Sequence, residues 1–419
     1  MTRQGTNRLT YLRTHPWITF SVDLHSAPAS LWIALGEAKS KCQHLAGVPL
    51  KPDIAKLLHQ IFLARGALAT TAIEGNTLSE KQALDIVQMK KSDLPNSQRY
   101  LAQELQNILD ASNGILKSIE EVGPVPISVA DIKAYNKLVL RDLTVAEHVV
   151  PGECVKIDIA VAGYHGAPWN ECERLLQRLV DWLNGPDFSE KNGDGIATGI
   201  LRAILAHLYL VWIHPFGDGN GRTARIMEVR FLMEAGVPSA AAHLLSNFYN
   251  RTRADYYRHL SEASKSGGNV IGFLLYAING FVEELRQQLK YVKQQQWQVS
   301  WENFVFEQYE GHHTESDKRQ RSLALALSKT NKPVQKADIK RLTPEIAASY
   351  ATKTDKTLSR DLNALVQSGL IVRSDEGYRA AVETILAFLP TSKKGSVAAQ
   401  IEEARVIATD ADGQLALSL

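Results

Sequence analysis

Twelve residues, 214–225, constrain this chain more than any other part of its sequence. They read His-Pro-Phe-Gly-Asp-Gly-Asn-Gly-Arg-Thr-Ala-Arg and follow directly on an apolar segment. Glycine at alternate positions allows positive φ angles and turns backbone N–H groups inward. The stretch 223–235 has the apolar spacing of a helix, so the loop leads into a helix N-terminus, which favours a bound anion. The three alternate glycines are Gly217, Gly219 and Gly221.

The charged side chains of this stretch supply the other parts of a phosphate site. Arg222 and Arg225 are fixed positive charges whose geometry suits bidentate binding of phosphate. Asp218 is an oxygen ligand suited to sharing Mg²⁺ with a phosphate group. His214 has a pKa range suited to a general base near neutral pH. The twelve residues therefore indicate phosphoryl or nucleotidyl transfer on a bound nucleotide. The alternative, a glycine-rich turn between two helices, requires none of these side chains.

These residues also resemble, at every position, the core motif of the Fic family, His-x-Phe-x-(Asp/Glu)-Gly-Asn-Gly-Arg-x-x-Arg. The usual activity of that family is the transfer of AMP from ATP to a hydroxyl group of a protein. The resemblance covers residues 64–280 and implies that His214 is the catalytic base, Asp218 the Mg²⁺ ligand and Arg225 the γ-phosphate ligand. It implies further nucleotide and phosphate contacts at Gly217, Gly219, Asn220, Gly221, Arg222, Asn250 and Tyr257.

A second short segment, 68–76, is predicted to be a helix that ends at Gly75 and Asn76. Thr77 and Glu80 then have the spacing of a capping box that opens the next helix. Glu74 falls in the last turn of the short helix, where the helix dipole disfavours a carboxylate. An acid in this position is usually an exposed side chain without a role.

The same segment resembles the inhibitory motif of the Fic family, (Ser/Thr)-x-x-x-Glu-(Gly/Asn), with Thr70, Glu74 and Gly75 at its defined positions. The resemblance implies that Glu74 pairs with Arg225. One guanidinium group cannot make bidentate bonds to a carboxylate and to a phosphate at the same time. The protein is therefore expected to inhibit itself from within its own chain.

Residues 155–161 break the helical pattern, because they alternate apolar and polar side chains between Pro151-Gly152 and Gly163. This pattern predicts a short strand or hairpin, whose free edge suits an extended peptide. The alternative is a structural cover over a loop. The stretch 151–165 resembles the flap with which Fic proteins hold their target segment. The predicted docking residues are Lys156, Ile157, Asp158, Ile159 and Val161.

The rest of the chain predicts a mainly α protein: a Fic helical core with a β-hairpin flap, followed by a winged helix-turn-helix module. The predicted organisation is a helical extension at 1–60, the core at 61–297, a linker helix at 298–315, the winged module at 316–389 and a tail at 390–419.

The winged module is predicted from helices at 319–327, 336–342 and 354–368, followed by a hairpin at 370–380. Residues 311–380 carry 13 Lys and Arg against 8 Asp and Glu. Such side chains bind DNA phosphates and base edges, although a solvated face that docks a protein is an equal alternative. The polar side of the third helix presents Lys353, Lys356, Thr357, Arg360 and Asn363.

Composition places limits on location and partners. We find no apolar run long enough for a membrane, no signal-peptide core, and three separated cysteines, which together predict a cytoplasmic protein without a membrane partner.

Expected partners are ATP and a protein with a Ser, Thr or Tyr hydroxyl group, and the helix at 98–119 is a candidate homodimer face. Two alternatives stay open: AMP removal or another phosphate or nucleotide transfer on the same fold, and a nucleotide-sensing DNA-binding regulator.

Overall fold

The computed structural model describes residues 10–90, 95–161, 164–190, 193–330 and 332–385. The chain folds into two compact units, with the division between Leu289 and Lys290. The described chain is mainly α-helical with two short strand pairs, which confirms the prediction of a mainly α protein, while the winged helix stays a prediction. The predicted tail at 390–419 lies outside the described residues.

The first unit is built from helices. In chain order they are α1 (Tyr11–Thr14), α2 (Ala29–Ala46), α3 (Pro52–Ala72), α4 (Glu80–Val87), α5 (Arg99–Val122), α6 (Val129–Val139), α7 (Cys172–Leu183), α8 (Gly195–Ile213), α9 (Asn220–Glu234), α10 (Leu244–Arg251), α11 (Arg253–Lys265) and α12 (Ile271–Gln308). Strands β1 (Ala160–Val161) and β2 (Tyr164–His165) form an antiparallel pair.

The helix pair α8 and α9 forms the centre of this unit. Helix α8 is apolar nearly all round and is long enough to cross a membrane, which differs from the sequence expectation, but 72% of its most apolar window is buried in the fold. A Cβ atom on Gly199 would lie 2.1 Å from the Cβ of Ala235, so glycine is needed for this close packing. Nearly every residue of α9 is buried as well. The segment that joins the two helices, 214–219, is therefore held at both ends by buried helices.

The segment 68–76 differs from its predicted form. Helix α3 runs unbroken from Pro52 to Ala72, because alanine and leucine around position 68 continue it rather than interrupt it. Glu74 therefore lies in the turn after a long helix, and Gly75 has the left-handed φ of 106° that ends it. The next capping box is formed by Ser79 and Gln82 and not by Thr77 and Glu80.

The predicted strand at 155–161 is mostly irregular. Only Ala160 and Val161 pair as a strand, with His165 and Tyr164 respectively. Val155 instead donates its N–H to the carbonyl of Pro215 at 2.9 Å. Backbone pairing with another segment therefore replaces the regular hairpin that the alternating pattern predicts.

Helix α12 continues past Leu289 into the second unit, whose own core includes Trp301 and Val305 of this helix. The predicted core boundary at 297 falls inside the continuous helix α12. The predicted helix at 336–342 contains only a single 3-10 turn, and α14 begins later because Thr343 caps it and Pro344 starts it. The remaining elements are α13 (Glu315–Ser328), α14 (Pro344–Tyr350), α15 (Asp355–Gln367), β3 (Ile371–Ser374) and β4 (Gly377–Ala380).

Candidate active site

His214 lies at the C-terminal cap of α8 in the left-handed conformation, with φ of 52° and ψ of 54°. A residue with a side chain rarely adopts this conformation outside special sites, so the fold tolerates a local strain to orient it. Its Nδ1 atom lies 3.3 Å from the Val211 carbonyl oxygen. A proton on Nδ1 that faces this carbonyl leaves Nε2 free to act as a base. Burial lowers the pKa of His214, which favours the neutral form.

The two arms of the predicted flap enclose the His214 segment. Ala167 donates its N–H to the carbonyl of Ile213 at 3.0 Å, while Val155 on the other arm bonds to Pro215. A Cβ atom on Gly166 would lie 2.9 Å from the Cβ of His214, so the flap backbone approaches the histidine directly. The flap is therefore fixed at its base to the segment that carries the candidate base.

The side chains of the predicted docking residues are mostly exposed. Lys156, Ile157 and Asp158 are exposed and Ile159 is half-buried, whereas the Val161 side chain lies outside the described residues. Asp158 accepts a hydrogen bond from the Trp169 N–H at 3.1 Å. The Ile159 carbonyl accepts one from Gly166 at 2.9 Å.

The glycine loop is closed by its own side chains and by α6. Asn220 accepts from the Phe216 N–H at 3.0 Å and donates to the Phe216 carbonyl at 2.7 Å, so this predicted phosphate ligand also holds the loop shut. Helix α9 begins at Asn220, three residues before its predicted start, with Gly219 in the left-handed region at φ of 75°. Asn136 of α6, which sequence reasoning missed, donates to the Asp218 carbonyl at 2.9 Å and accepts from the Gly152 N–H at 2.9 Å.

Arg222 is buried between two acids. Its Nη2 donates to Asp218 and its Nη1 donates to Glu104, each at 3.0 Å. Burial raises the pKa of Glu104, and Arg222 only partly opposes that effect. Glu104 is the second functional residue that sequence reasoning missed, since an acid in an amphipathic helix carries no distinguishing signal.

Arg225 is held by the segment that resembles an inhibitory motif. Its Nη2 donates to the Glu74 carboxylate at 2.5 Å and to the Thr70 carbonyl at 3.0 Å. The Arg225 side chain is 1% exposed and that of Glu74 is 35% exposed. Burial raises the pKa of Glu74, but the Arg225 guanidinium outweighs it, so the pKa lies below the usual value. Thr70 thus acts through its backbone.

A cavity of 760 Å³ reaches some of the predicted site residues, but Asp218, Asn220 and Arg222 are not in its wall. His214, Arg225 and Glu74 lie in its wall, and so does the predicted nucleotide contact Tyr257, whereas the predicted contact Asn250 is not in the wall. The N-terminal segment also contributes to the wall, which the sequence did not indicate. The further lining residues from that segment, the flap and α11 include Thr14, His15, Trp17, Asp158, Tyr164, His165, Tyr256, Leu260 and Lys265.

Comparison with known proteins identifies relatives of this site. The chain is 32% identical over 197 residues to the protein adenylyltransferase fic-1 of Caenorhabditis elegans, which covers 46% of this chain and 35% of that protein. It is 28% identical over 195 residues to the protein adenylyltransferase Fic of Nematostella vectensis, which covers 46% of this chain and 42% of that protein. The chain thus spans well under half the length of these curated relatives.

Solved structures show the same fold. A Fic family protein from Desulfovibrio desulfuricans G20 superposes with a TM-score of 0.52 at 17% identity, covering 90% of this chain and all of that one. Fic-1 of C. elegans superposes with a TM-score of 0.51 at 24% identity, covering 63% of this chain and 73% of that one. The model of the Fic/DOC family matches residues 126–232, which include the flap, His214 and α9 up to Leu232. The chain therefore contains a Fic/DOC family domain.

Proposed function

We propose that this protein transfers AMP from ATP to a Ser, Thr or Tyr hydroxyl group of a protein, itself included, and that Glu74 inhibits the transfer. The observation that supports this proposal most directly is that His214, Arg225 and residues of the flap line the same cavity. The curated relatives named adenylyltransferases support the same chemistry. ATP and a protein hydroxyl group are accordingly the proposed substrates.

In the proposed reaction, Nε2 of His214 accepts the proton of the target hydroxyl group. The hydroxyl oxygen attacks the α-phosphorus of ATP, a new P–O bond forms, and the bond to the β-phosphate oxygen breaks to release pyrophosphate. Arg222 and Arg225 neutralise phosphate charge, while the flap positions the target backbone. Positioning and charge neutralisation account for most of the catalysis in such reactions.

Asp218 fits the role of a Mg²⁺ ligand. Its side chain is 48% exposed at the edge of the loop and touches Arg222 through Oδ1. Mg²⁺ is commonly held by one or two carboxylates together with substrate phosphates, so one aspartate is sufficient on the protein side. When bound there, Mg²⁺ would neutralise phosphate charge and orient the leaving group.

Autoinhibition follows from competition for Arg225. The Nη2 atom of Arg225 already donates to both Glu74 and Thr70. A phosphate that used the same face of the guanidinium group would have to displace the Glu74 carboxylate. We therefore propose that ATP binds without a productive γ-phosphate contact until Glu74 moves.

The test is intact-protein mass after incubation with ATP and Mg²⁺. We expect AMP addition to be strong in Glu74→Gly, weak in the wild type and absent in Glu74→Gly/His214→Ala. Glu120→Gln, an exposed acid on α5, is the matched control and should behave as the wild type. A mass increase of phosphate size would indicate phosphoryl transfer instead. Loss of AMP from a modified protein, without gain, would indicate AMP removal.

For the C-terminal unit we propose binding to DNA. Lys356, Arg360 and Asn363 are all exposed on α15, and Lys353 just before it is exposed too. Fluorescence anisotropy with a labelled DNA duplex should show binding that weakens steeply with salt and is lost in Lys356→Glu/Arg360→Glu. Absence of binding at low salt would favour the alternative, a protein-docking surface.

A cytoplasmic location and a homodimer complete the proposal. The cytoplasmic location rests on the three separated cysteines of the sequence, Cys42, Cys154 and Cys172. Tyr100 on α5 is an exposed large side chain at the candidate dimer face. Light scattering at two protein concentrations would test the dimer.

A further inference from the structure

Glu104 is a partly buried acid that the chemistry above does not use. It lies on α5 and is separated from Arg222 by 118 residues in the sequence, yet its Oε1 accepts from Arg222 Nη1 at 3.0 Å. The Glu104 side chain is 17% exposed and that of Arg222 is 6% exposed. A charge-assisted bond in such a position is stronger than one at the surface.

The carboxylate of Glu104 has a fixed orientation. Its second oxygen, Oε2, accepts from Asn76 Nδ2 at 3.0 Å. Asn76 is itself anchored, because Nδ2 also donates to the Leu101 carbonyl and Oδ1 accepts from the Leu78 N–H. With Oε2 occupied by Asn76, Oε1 faces Arg222.

Arg222 is therefore shared between two acids with different exposure. Its Nη2 atom contacts Asp218, which is half exposed at the loop edge, while its Nη1 atom contacts the less exposed Glu104. The Nε atom of Arg222 is buried and has no hydrogen-bond partner among the residues that the structure describes. The guanidinium group is thus fixed by Glu104 through Nη1, and Nη2 is the donor that it presents to Asp218 at the loop edge.

We propose that Glu104 is a positioning residue for the nucleotide: through Nη1 it holds the Arg222 guanidinium so that Nη2 stays at the loop edge for the phosphates, and it prevents Arg222 from pairing fully with Asp218. This inference rests on the proposed function, because it takes the loop to be the phosphate site. Without Glu104, both ends of the arginine fork can bind Asp218, which withdraws Arg222 from the phosphates and Asp218 from the cation.

The experiment measures ADP binding by calorimetry, with and without Mg²⁺, in the Glu74→Gly protein. ADP lacks the γ-phosphate, so the result does not depend on Arg225 capturing that group. We expect Glu104→Gln to weaken ADP binding about tenfold, the effect of one lost hydrogen bond to a charged group. Glu120→Gln, on the same helix and with the same change of charge, should bind ADP as the parent does. Asn76→Ala should weaken binding in the same direction but less.

A double-mutant cycle separates positioning from a general structural effect. If Glu104 acts through Arg222, Glu104→Gln should cause no further loss in an Arg222→Gln background. Additive losses, or unchanged affinity in Glu104→Gln or in Arg222→Gln, would overturn the inference. If the Glu74→Gly parent itself binds no ADP, the proposed function fails. If the parent binds and only the Glu104 prediction fails, the proposed function stands without this inference.

Discussion

A Cβ atom on Gly221 would lie 2.3 Å from Oε1 of Glu74, so the Glu74 carboxylate rests directly on the first turn of α9. The N-terminus of a helix favours negative charge, which is why phosphate groups bind there. Glu74 therefore places its charge where an anion is favoured and at the same time pairs with Arg225. Both relationships require glycine at position 221, because any side chain would displace the carboxylate.

The Glu74–Arg225 ion pair predicts that the Glu74→Gly variant has a lower free energy of unfolding than the wild type. Glu74→Gly leaves Arg225, which is 1% exposed, without its acidic partner. Losing one partner of a buried pair typically costs several kcal/mol, and because Glu74 is a third exposed we expect about 2 kcal/mol. Urea unfolding should show this loss without nucleotide, and ATP with Mg²⁺ should stabilise Glu74→Gly more than the wild type. Equal stability of Glu74→Gly and Glu120→Gln would contradict the prediction.

The burial of His214 predicts the pH dependence of the reaction. Its pKa is lowered from the ordinary value of 6.5, so the neutral base persists to a lower pH than in an exposed histidine. The acid limb of kcat/KM, which reports the free enzyme, should therefore have its midpoint below pH 6.5. The measurement uses Glu74→Gly, and target peptide and ATP are varied separately. A midpoint above 6.5 would mean that His214 does not act as the base.

His243 predicts a loss of stability in mild acid. It is 1% exposed, and burial lowers its pKa to about 4 from the ordinary 6.5. Above pH 6.5 the ring is neutral in both the folded and the unfolded protein. As pH falls from 6.5 towards 4, only the unfolded chain takes up the proton, so up to about 3 kcal/mol of stability is lost. Urea unfolding gives the free energy of unfolding at pH 7 and at pH 5, and the decrease between them should be smaller in His243→Gln than in the wild type. An equal decrease in the two proteins would mean that other groups cause the acid sensitivity.

Two glycines of α12 predict opposite effects of the same substitution. A Cβ atom on Gly280 would lie 2.0 Å from the ring of Phe248, whereas a Cβ on Gly272 would have no neighbour within 4 Å. Gly280→Ala should therefore destabilise the protein by about 2 kcal/mol through overpacking. Gly272→Ala should stabilise it by about 0.5 kcal/mol, since alanine favours helix over glycine. Thermal unfolding of the two variants checks both signs, and a shift in the same direction would contradict the packing described here.

Much of the candidate site could be predicted from the sequence, because many of its residues are contiguous in the chain. The order of residues 214–225 predicted the glycine loop, and the resemblance of the segment with Thr70 and Glu74 to the family's inhibitory motif implied a partner for Arg225. The predicted helices at 98–119 and 223–235 agree with α5 and α9 to within three residues at each end. The sequence prediction failed where two residues compete to cap a helix, because Ser79 and not Thr77 caps α4. It also failed at Val155, where a strand-like pattern pairs with the segment around Pro215 instead of forming a hairpin.

The sequence by itself determined the main residues of the candidate site, because these side chains follow one another along a loop and its helix. Only the tertiary structure decided how those side chains are held. Glu104 meets Arg222 across 118 residues, and His15 binds the His165 carbonyl of the flap across 150. Such contacts arise from the packing of helices that are distant in the chain, and the hydrophobic pattern that drives this packing does not specify which polar residues it brings together.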